Sequence, residues 1–349
     1  MPALALADAL AAAGNEVEPV LVGAARGVEA ALLPSRPYRF HLLPVEPIYR
    51  RAWWRNLRWP LILARVLRQG AKVLTAEQPA VAVGTGGYAA GPILLQALRR
   101  GVPLALQEQN VVPGLTTRWL ARHARHIYLG FPEGKRHLRL GAATEVFEFG
   151  NPITPPPSPL PERGAARARL GIAAESRVVF VMGGSQGARS VNRAVAAILD
   201  AGLWRDVTLL WSTGAALFDQ YRHYHRPPLR QLRGFWDPIA EAYAAADVVV
   251  SRAGAMTTAE LCAWGLPAVL VPLPGAPGDH QSRNAEALAR AGAAMHVPEA
   301  SLGEGSLGEE VRRLLDDPSR LAAMGRKALA RGHPKAAEDT ARQILALVS

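Results

Sequence analysis

The feature that most constrains this chain is a three-part unit that recurs along it: a short apolar run, a Gly-rich turn and a helical pattern. Val81-Ala82-Val83 runs into Gly84-Thr85-Gly86-Gly87-Tyr88. Arg177 to Met182 runs into Gly183-Gly184-Ser185-Gln186-Gly187, and Asp247 to Val250 runs into Ser251-Arg252-Ala253-Gly254. Short, continuous apolar runs read as strands buried on both faces. Strands alternating with helical patterns build parallel, doubly wound α/β sheets. Further strands are expected at Glu16 to Val22, Leu104 to Leu106, Val207 to Trp211 and Leu266 to Val271. "GVPLAL" at 101 to 106 echoes "GLPAVL" at 265 to 270, each downstream of such a turn.

Pro2 to Ala13 reads as a helix with Pro in its first turn and Gly14 as its stop. After Asn151-Pro152, "TPPPSPLPERG" has neither a helical nor a strand period and reads as a linker. The 349 residues suffice for two domains. The expected organisation is a first domain over 1–151, a linker over 152–165 and a second domain over 166–330. A C-terminal helix over 331–349 is expected to pack back on the first domain. Ligands of such sheets bind at the C-terminal ends of the strands, so the two sheets are expected to face a common cleft.

Lys and Arg number 40 against 29 Asp and Glu, a surplus of 11 that favours anionic partners: nucleic acid, a membrane surface or phosphorylated substrates. The one cysteine, Cys262, rules out an intramolecular disulfide and reads as core. No apolar run approaches the roughly 20 residues that span a bilayer. The N-terminus lacks the basic start of a secretory signal.

Unpaired N–H groups at a helix start, approached closely through glycine, suit an anion. Gly183 to Gly187 therefore reads as a diphosphate loop, with Ser185 adding a hydroxyl, or as a plain structural turn. Gly84 to Gly87 is open in the same way, as a tight turn or as an acceptor-facing loop. Ser251 to Gly254 opens a helix that carries Glu260, which suggests a second task on the same ligand. Asp279-His280-Gln281-Ser282-Arg283-Asn284 lies after a Pro- and Gly-rich loop. Its polar groups suit a sugar, and Asp279 equally suits a helix N-cap. His123/His126 and His223/His225 sit among arginines, and no metal site is expected there.

Residues 49 to 72 carry seven basic residues from Arg50 to Lys72, no acid, and Trp53, Trp54 and Trp59. A solvated helix with core aromatics, a nucleic-acid surface and a membrane surface are the three readings. The apolar Leu61-Ile62-Leu63 favours lipid, with Arg55, Arg58, Trp59, Leu63 and Arg65 as the expected patch.

Seven motifs in order carry a family resemblance. They are "PALALADAL" at 2 to 10, "GTGGYAAGP" at 84 to 92, "QEQNVVPG" at 107 to 114, "GNPI" at 150 to 153, "GGSQGAR" at 183 to 189, "SRAGAMTTAE" at 251 to 260 and "DHQSRNA" at 279 to 285. Together they resemble the MurG family of peptidoglycan glycosyltransferases, almost end to end. The resemblance implies a GT-B fold of two Rossmann-like domains, a donor site mostly in the second, and no metal or cofactor. It implies inverting transfer of N-acetylglucosamine (GlcNAc) from UDP-GlcNAc to the C4 hydroxyl of a lipid-linked N-acetylmuramyl pentapeptide, which makes lipid II from lipid I. Arg252, Ala255, Met256 and Thr257 would hold the diphosphate, with Ser185 facing phosphate. Glu260 would take the ribose hydroxyls and the backbone at Trp236 the uracil. Gln281 and Asn284 would bind the sugar, with Asn110 contributing from the first domain. Gly84, Thr85, Gly86, Gly87 and Tyr88 would form the acceptor-side loop. The implied location is the cytoplasmic face of the bacterial membrane, on anionic lipid, with cell-wall synthesis proteins as further partners and no nucleic acid.

The chain departs from the family pattern in two places. Thr154 stands where the family has Arg after "GNPV", so one diphosphate-side cation is missing. The family also begins with a strand and the loop Gly-Gly-Thr-Gly-Gly-His, and this sequence starts directly at the next helix. A start codon assigned too late, or a truncated form, is the expected cause. The His of that loop is the expected general base, so no catalytic residue is named within the chain. The competing expectations are a related transferase with another lipid acceptor and an inactive UDP-sugar-binding module.

Overall fold

A computed structural model describes residues 2–14, 16–46, 58–87, 89–183, 187–304 and 306–348. Ser185, Tyr88 and Arg55 lie outside the described residues, as do Trp53 and Trp54. The chain divides into two compact units, Met1–Ile153 with Lys335–Ser349, and Thr154–Pro334.

In the first unit, β1 (Val20–Ala24) pairs in parallel with β2 (Arg39–Leu43). β3 (Ala82–Gly84), β4 (Leu104–Glu108), β5 (His126–Leu129) and β6 (Glu145–Phe147) form a second parallel sheet in that order. β1 starts later than expected because Pro19 has no N–H to donate to the ladder, so pairing begins only at Val20. Side chains alternate across β4. Leu104 and Leu106 face one core with Leu43, Val66, Leu74, Leu94 and Ile127, under the helices Trp59–Glu77 and Ala90–Arg99. Ala105 faces the other, with Tyr128 and Ile344. The helices Pro2–Ala13 and Ala336–Leu345 pack on each other there, so the end of the chain covers the first unit.

The second unit holds β7 (Arg177–Met182), β8 (Val207–Ser212), β9 (Arg230–Arg233), β10 (Val248–Ser251), β11 (Ala268–Leu270) and β12 (Met295–His296). All pairings are parallel, in the order β12-β11-β10-β7-β8-β9. The end of the expected linker is already helical, as Arg163–Arg169. Arg167 anchors it, buried and 2.7 Å from Asp247, which also accepts the Val178 N–H. The chain leaves β7 toward β8 and β9, then returns to β10 on the other side of β7. Strand order therefore reverses between β7 and β10, the place where doubly wound sheets bind ligands.

Candidate functional site

Both Gly turns of the second half emerge at this reversal, since Met182 at the end of β7 pairs with Ser251 at the end of β10. Backbone approaches backbone closely there. A Cβ on Gly183 would lie 2.2 Å from the Ala188 nitrogen, and one on Gly187 (φ +73°) 2.5 Å from the Thr213 carbonyl oxygen. Only glycine tolerates either position. The turns lead into the helices Arg189–Asp200 and Ala255–Ala263, whose N-cap residues Ala188 and Gly254 make no side-chain cap hydrogen bond. The first N–H groups of a helix have no partner within the helix itself.

A cavity of about 600 Å³ opens against these helix starts, lined by Gly183, Gly187, Arg252, Gly254, Thr257 and Gln281, and also by Arg189, Ser190, Arg193 and Glu299. Three of the residues expected at a donor site, Arg252, Thr257 and Gln281, thus meet around one space. Ala255 and Met256 form the first turn of their helix beside it. The Gln281 Oε1 accepts the Leu273 N–H at 2.9 Å and so braces the loop after β11. Asn284 is fully buried and donates to the Ala253 carbonyl at 3.3 Å, supporting the turn from below. Asp279 does not cap its helix as expected. It has left-handed backbone (φ +53°), and its carboxylate accepts from the Ser282 hydroxyl at 2.6 Å instead of from a helix N–H.

Arg252 is committed to its own unit. Its Nη1 donates to the carbonyls of Val271 and Pro272 at 3.1 and 3.0 Å, and its Nη2 to Ser190 Oγ at 2.8 Å. The Glu299 carboxylate pairs with it at 2.5 Å and also accepts the Ser190 hydroxyl at 2.7 Å.

Glu260 is half-buried on the helix Ala255–Ala263, and the Tyr243 hydroxyl lies 3.3 Å from its Oε2. Burial raises its pKa above the usual carboxylate value, and the Tyr243 hydrogen bond opposes the rise. Phe180 packs edge-on against both Tyr243 and Trp236. Trp236 is buried, with the Arg233 guanidinium 4.0 Å over its ring, while neighbouring Phe235 leaves its ring exposed.

In the first unit, Glu108 is buried and organises the loop after β4. Its two carboxylate oxygens accept the backbone N–H groups of Asn110 and Gly114, at 3.1 and 2.9 Å. Gln109 donates to the Thr85 carbonyl at 3.0 Å, which ties Gly84–Gly87 to the same loop. Gly86 and Gly87 take φ of +84° and +85°. Thr154, the first residue of the second unit, is exposed and is not among the cavity's lining residues. Arg58 and Arg65 are exposed, Leu63 is exposed and Trp59 half-buried.

Arg189, Ser190, Arg193 and Glu299 were not expected at the site. Arg189 and Ser190 come directly after the second Gly turn, so adjacency was their signal. Glu299 has none, because its partner Arg252 is far away in sequence.

Two family models match the chain: the glycosyltransferase family 28 N-terminal domain over residues 1–129 and its C-terminal domain over 178–340. A UDP-N-acetylglucosamine--N-acetylmuramyl-(pentapeptide) pyrophosphoryl-undecaprenol N-acetylglucosamine transferase of Salinibacter ruber is 42% identical, over 99% of this chain and 93% of that one. A relative of the same name from Chlorobium limicola is 38% identical, over 99% and 95%. The crystal structure of Acinetobacter baumannii MurG superposes with a TM-score of 0.78 at 24% identity, over 99% of this chain and 95% of that one. The fold is the two-domain GT-B fold. Both halves match the family models in order, and close relatives run nearly the full length, so the chain belongs to glycosyltransferase family 28 and, within it, to the MurG family.

Proposed function

We propose that this chain transfers GlcNAc from UDP-GlcNAc to the C4 hydroxyl of undecaprenyl-pyrophosphoryl N-acetylmuramyl pentapeptide, with inversion at C1 and UDP as the leaving group. The near full-length likeness to transferases of that name carries the reading. The cavity at the reversal point suits the donor. Two helix starts and a cluster of arginines meet the charge that grows on the departing diphosphate. Glu260 accepts from the ribose hydroxyls, Gln281 faces the sugar, and the backbone at Trp236 takes the uracil. Asn110 contributes to the sugar from the first unit, and the loop Gly84–Gly87 belongs to the acceptor side.

The acceptor is a lipid, and the first unit has features that suit a membrane. The helix Trp59–Glu77 exposes Leu61 (77%), and the helix Leu115–Leu120 exposes Trp119 (70%) and Leu115. Arg58, Arg65 and Arg118 stand exposed beside them. Apolar and basic side chains side by side suit the cytoplasmic face of an anionic bilayer. Among the described residues no helix is long and apolar enough to cross a membrane.

The test is UDP release and radiolabelled GlcNAc transfer with lipid I in anionic vesicles. Transfer that depends on lipid I is expected. Donor hydrolysis alone, or equal transfer to a diacylglycerol, would replace this reading.

A further inference from the structure

The donor cavity holds three arginines and one carboxylate. Its most buried arginine, Arg252, is already held by four partners within the protein. A guanidinium has five N–H donors. Arg252 directs Nη1 at two carbonyls and the Glu299 carboxylate, and one Nη2 hydrogen at Ser190. Glu299 neutralises its charge within the protein, and moving it onto a ligand would strip four partners at once.

Arg189 and Arg193 differ. Both are exposed, both line the cavity, and neither has an acidic partner among the described residues. They sit at i and i+4 at the start of the helix Arg189–Asp200, whose first turn holds no acid. At that spacing they share one face and repel each other. The helix N-terminus adds positive charge at the same place. An anion between them relieves the repulsion and satisfies the uncapped N–H groups together. Thr154, which stands where the family resemblance expects a cation, is not among the lining residues.

We propose that Arg189 and Arg193, and not Arg252, are the cations that grip the diphosphate of the nucleotide-sugar donor, with Arg252 a structural brace between Glu299, Ser190 and the loop after β11. The proposal rests on the donor reading given under Proposed function. Two arginines on one helix face match a group with two phosphates, so they distinguish a nucleoside diphosphate from a monophosphate.

The test is calorimetric titration of UDP, UMP and uridine into the full chain, with thermal melting as a control for folding. The parent is expected to bind UDP more tightly than UMP. In R189A/R193A the preference for UDP over UMP should fall by about tenfold or more, the effect of lost charge-assisted hydrogen bonds, with uridine affinity unchanged. R189K/R193K, which keeps the charge, should regain most of the preference. If the parent prefers UDP and R189A/R193A keeps that preference, the assignment of the arginines is overturned and the donor reading survives. If the parent binds none of the three, the donor reading falls with it.

Discussion

Burial raises the proton affinity of Glu260, whereas its proposed task requires the charged form. Stability and donor binding therefore respond to pH in opposite directions. A carboxyl whose folded pKa lies above its unfolded one stabilises the fold at low pH, and that contribution is lost as pH rises through the folded pKa. With the proposed ribose contact, donor affinity runs the other way, because the carboxylate is the stronger acceptor for the two hydroxyls. Calorimetry should therefore show UDP-GlcNAc affinity climbing with pH through a midpoint above the ordinary carboxylate value. Tyr243→Phe removes the hydrogen bond that favours the charged form, so it should move that midpoint upward. Glu260→Gln should abolish the midpoint and weaken binding by about 1–3 kcal/mol. A pH-independent affinity in the parent, unmoved by either change, would remove Glu260 from the ribose. On the same helix, burial pushes the Cys262 thiol up to about 11, so it stays protonated and packs as an apolar group.

The helix Trp59–Glu77 presents a buried stripe of Val66, Gly70 and Leu74 and an outward face with Leu61, Arg58 and Arg65 exposed. Arg55→Glu, Arg58→Glu and Arg65→Glu together reverse charge and keep Val66, Gly70 and Leu74 as they are. The triple variant should lose co-sedimentation with anionic vesicles at low salt and keep its affinity for soluble UDP-GlcNAc. Undiminished pelleting would make the segment an ordinary solvated helix. The strands legible in the sequence were continuous apolar runs. β7 matches its expected span because Val178 to Val181 are all fully buried and apolar. β9 was invisible, since "RQLR" on a sheet edge carries polar side chains. Gln231 is buried only because its amide donates to the Leu170 carbonyl at 2.7 Å. β4 extends two residues past its apolar run for a similar reason: Gln107 bonds Asn151 at 3.0 Å, and Glu108 organises the loop beyond. The Gly turns at the ends of β7 and β10 could be read from composition and order alone, as turns that lead into helices. The Arg252–Glu299 pair could not, because tertiary proximity makes it and no local pattern announces it.

The chain leaves its first unit at Ile153 and returns to it at Lys335. Removing residues 335–349 takes away Ile344, Ala341 and Ala336, all nearly fully buried, each of which contributes apolar area that stabilises the first unit. In hydrogen exchange, such a shortened chain should lose amide protection over β3 to β6 and the helix Pro2–Ala13. β7 to β12 should stay protected, and UDP should still bind. Uniform protection across both units would mean that the returning helix adds nothing. This double crossing also has a consequence for birth on the ribosome. A domain at the front of a chain ordinarily finishes folding first, as translation proceeds at about 5–20 residues per second. Here the first unit must wait for its last helix until all of Thr154–Pro334 has been made, roughly 10–35 s later at that pace. The cover over Ala105 and Tyr128 therefore closes only after every strand of the second unit has been made. The first half to be translated is thus the last to be completed.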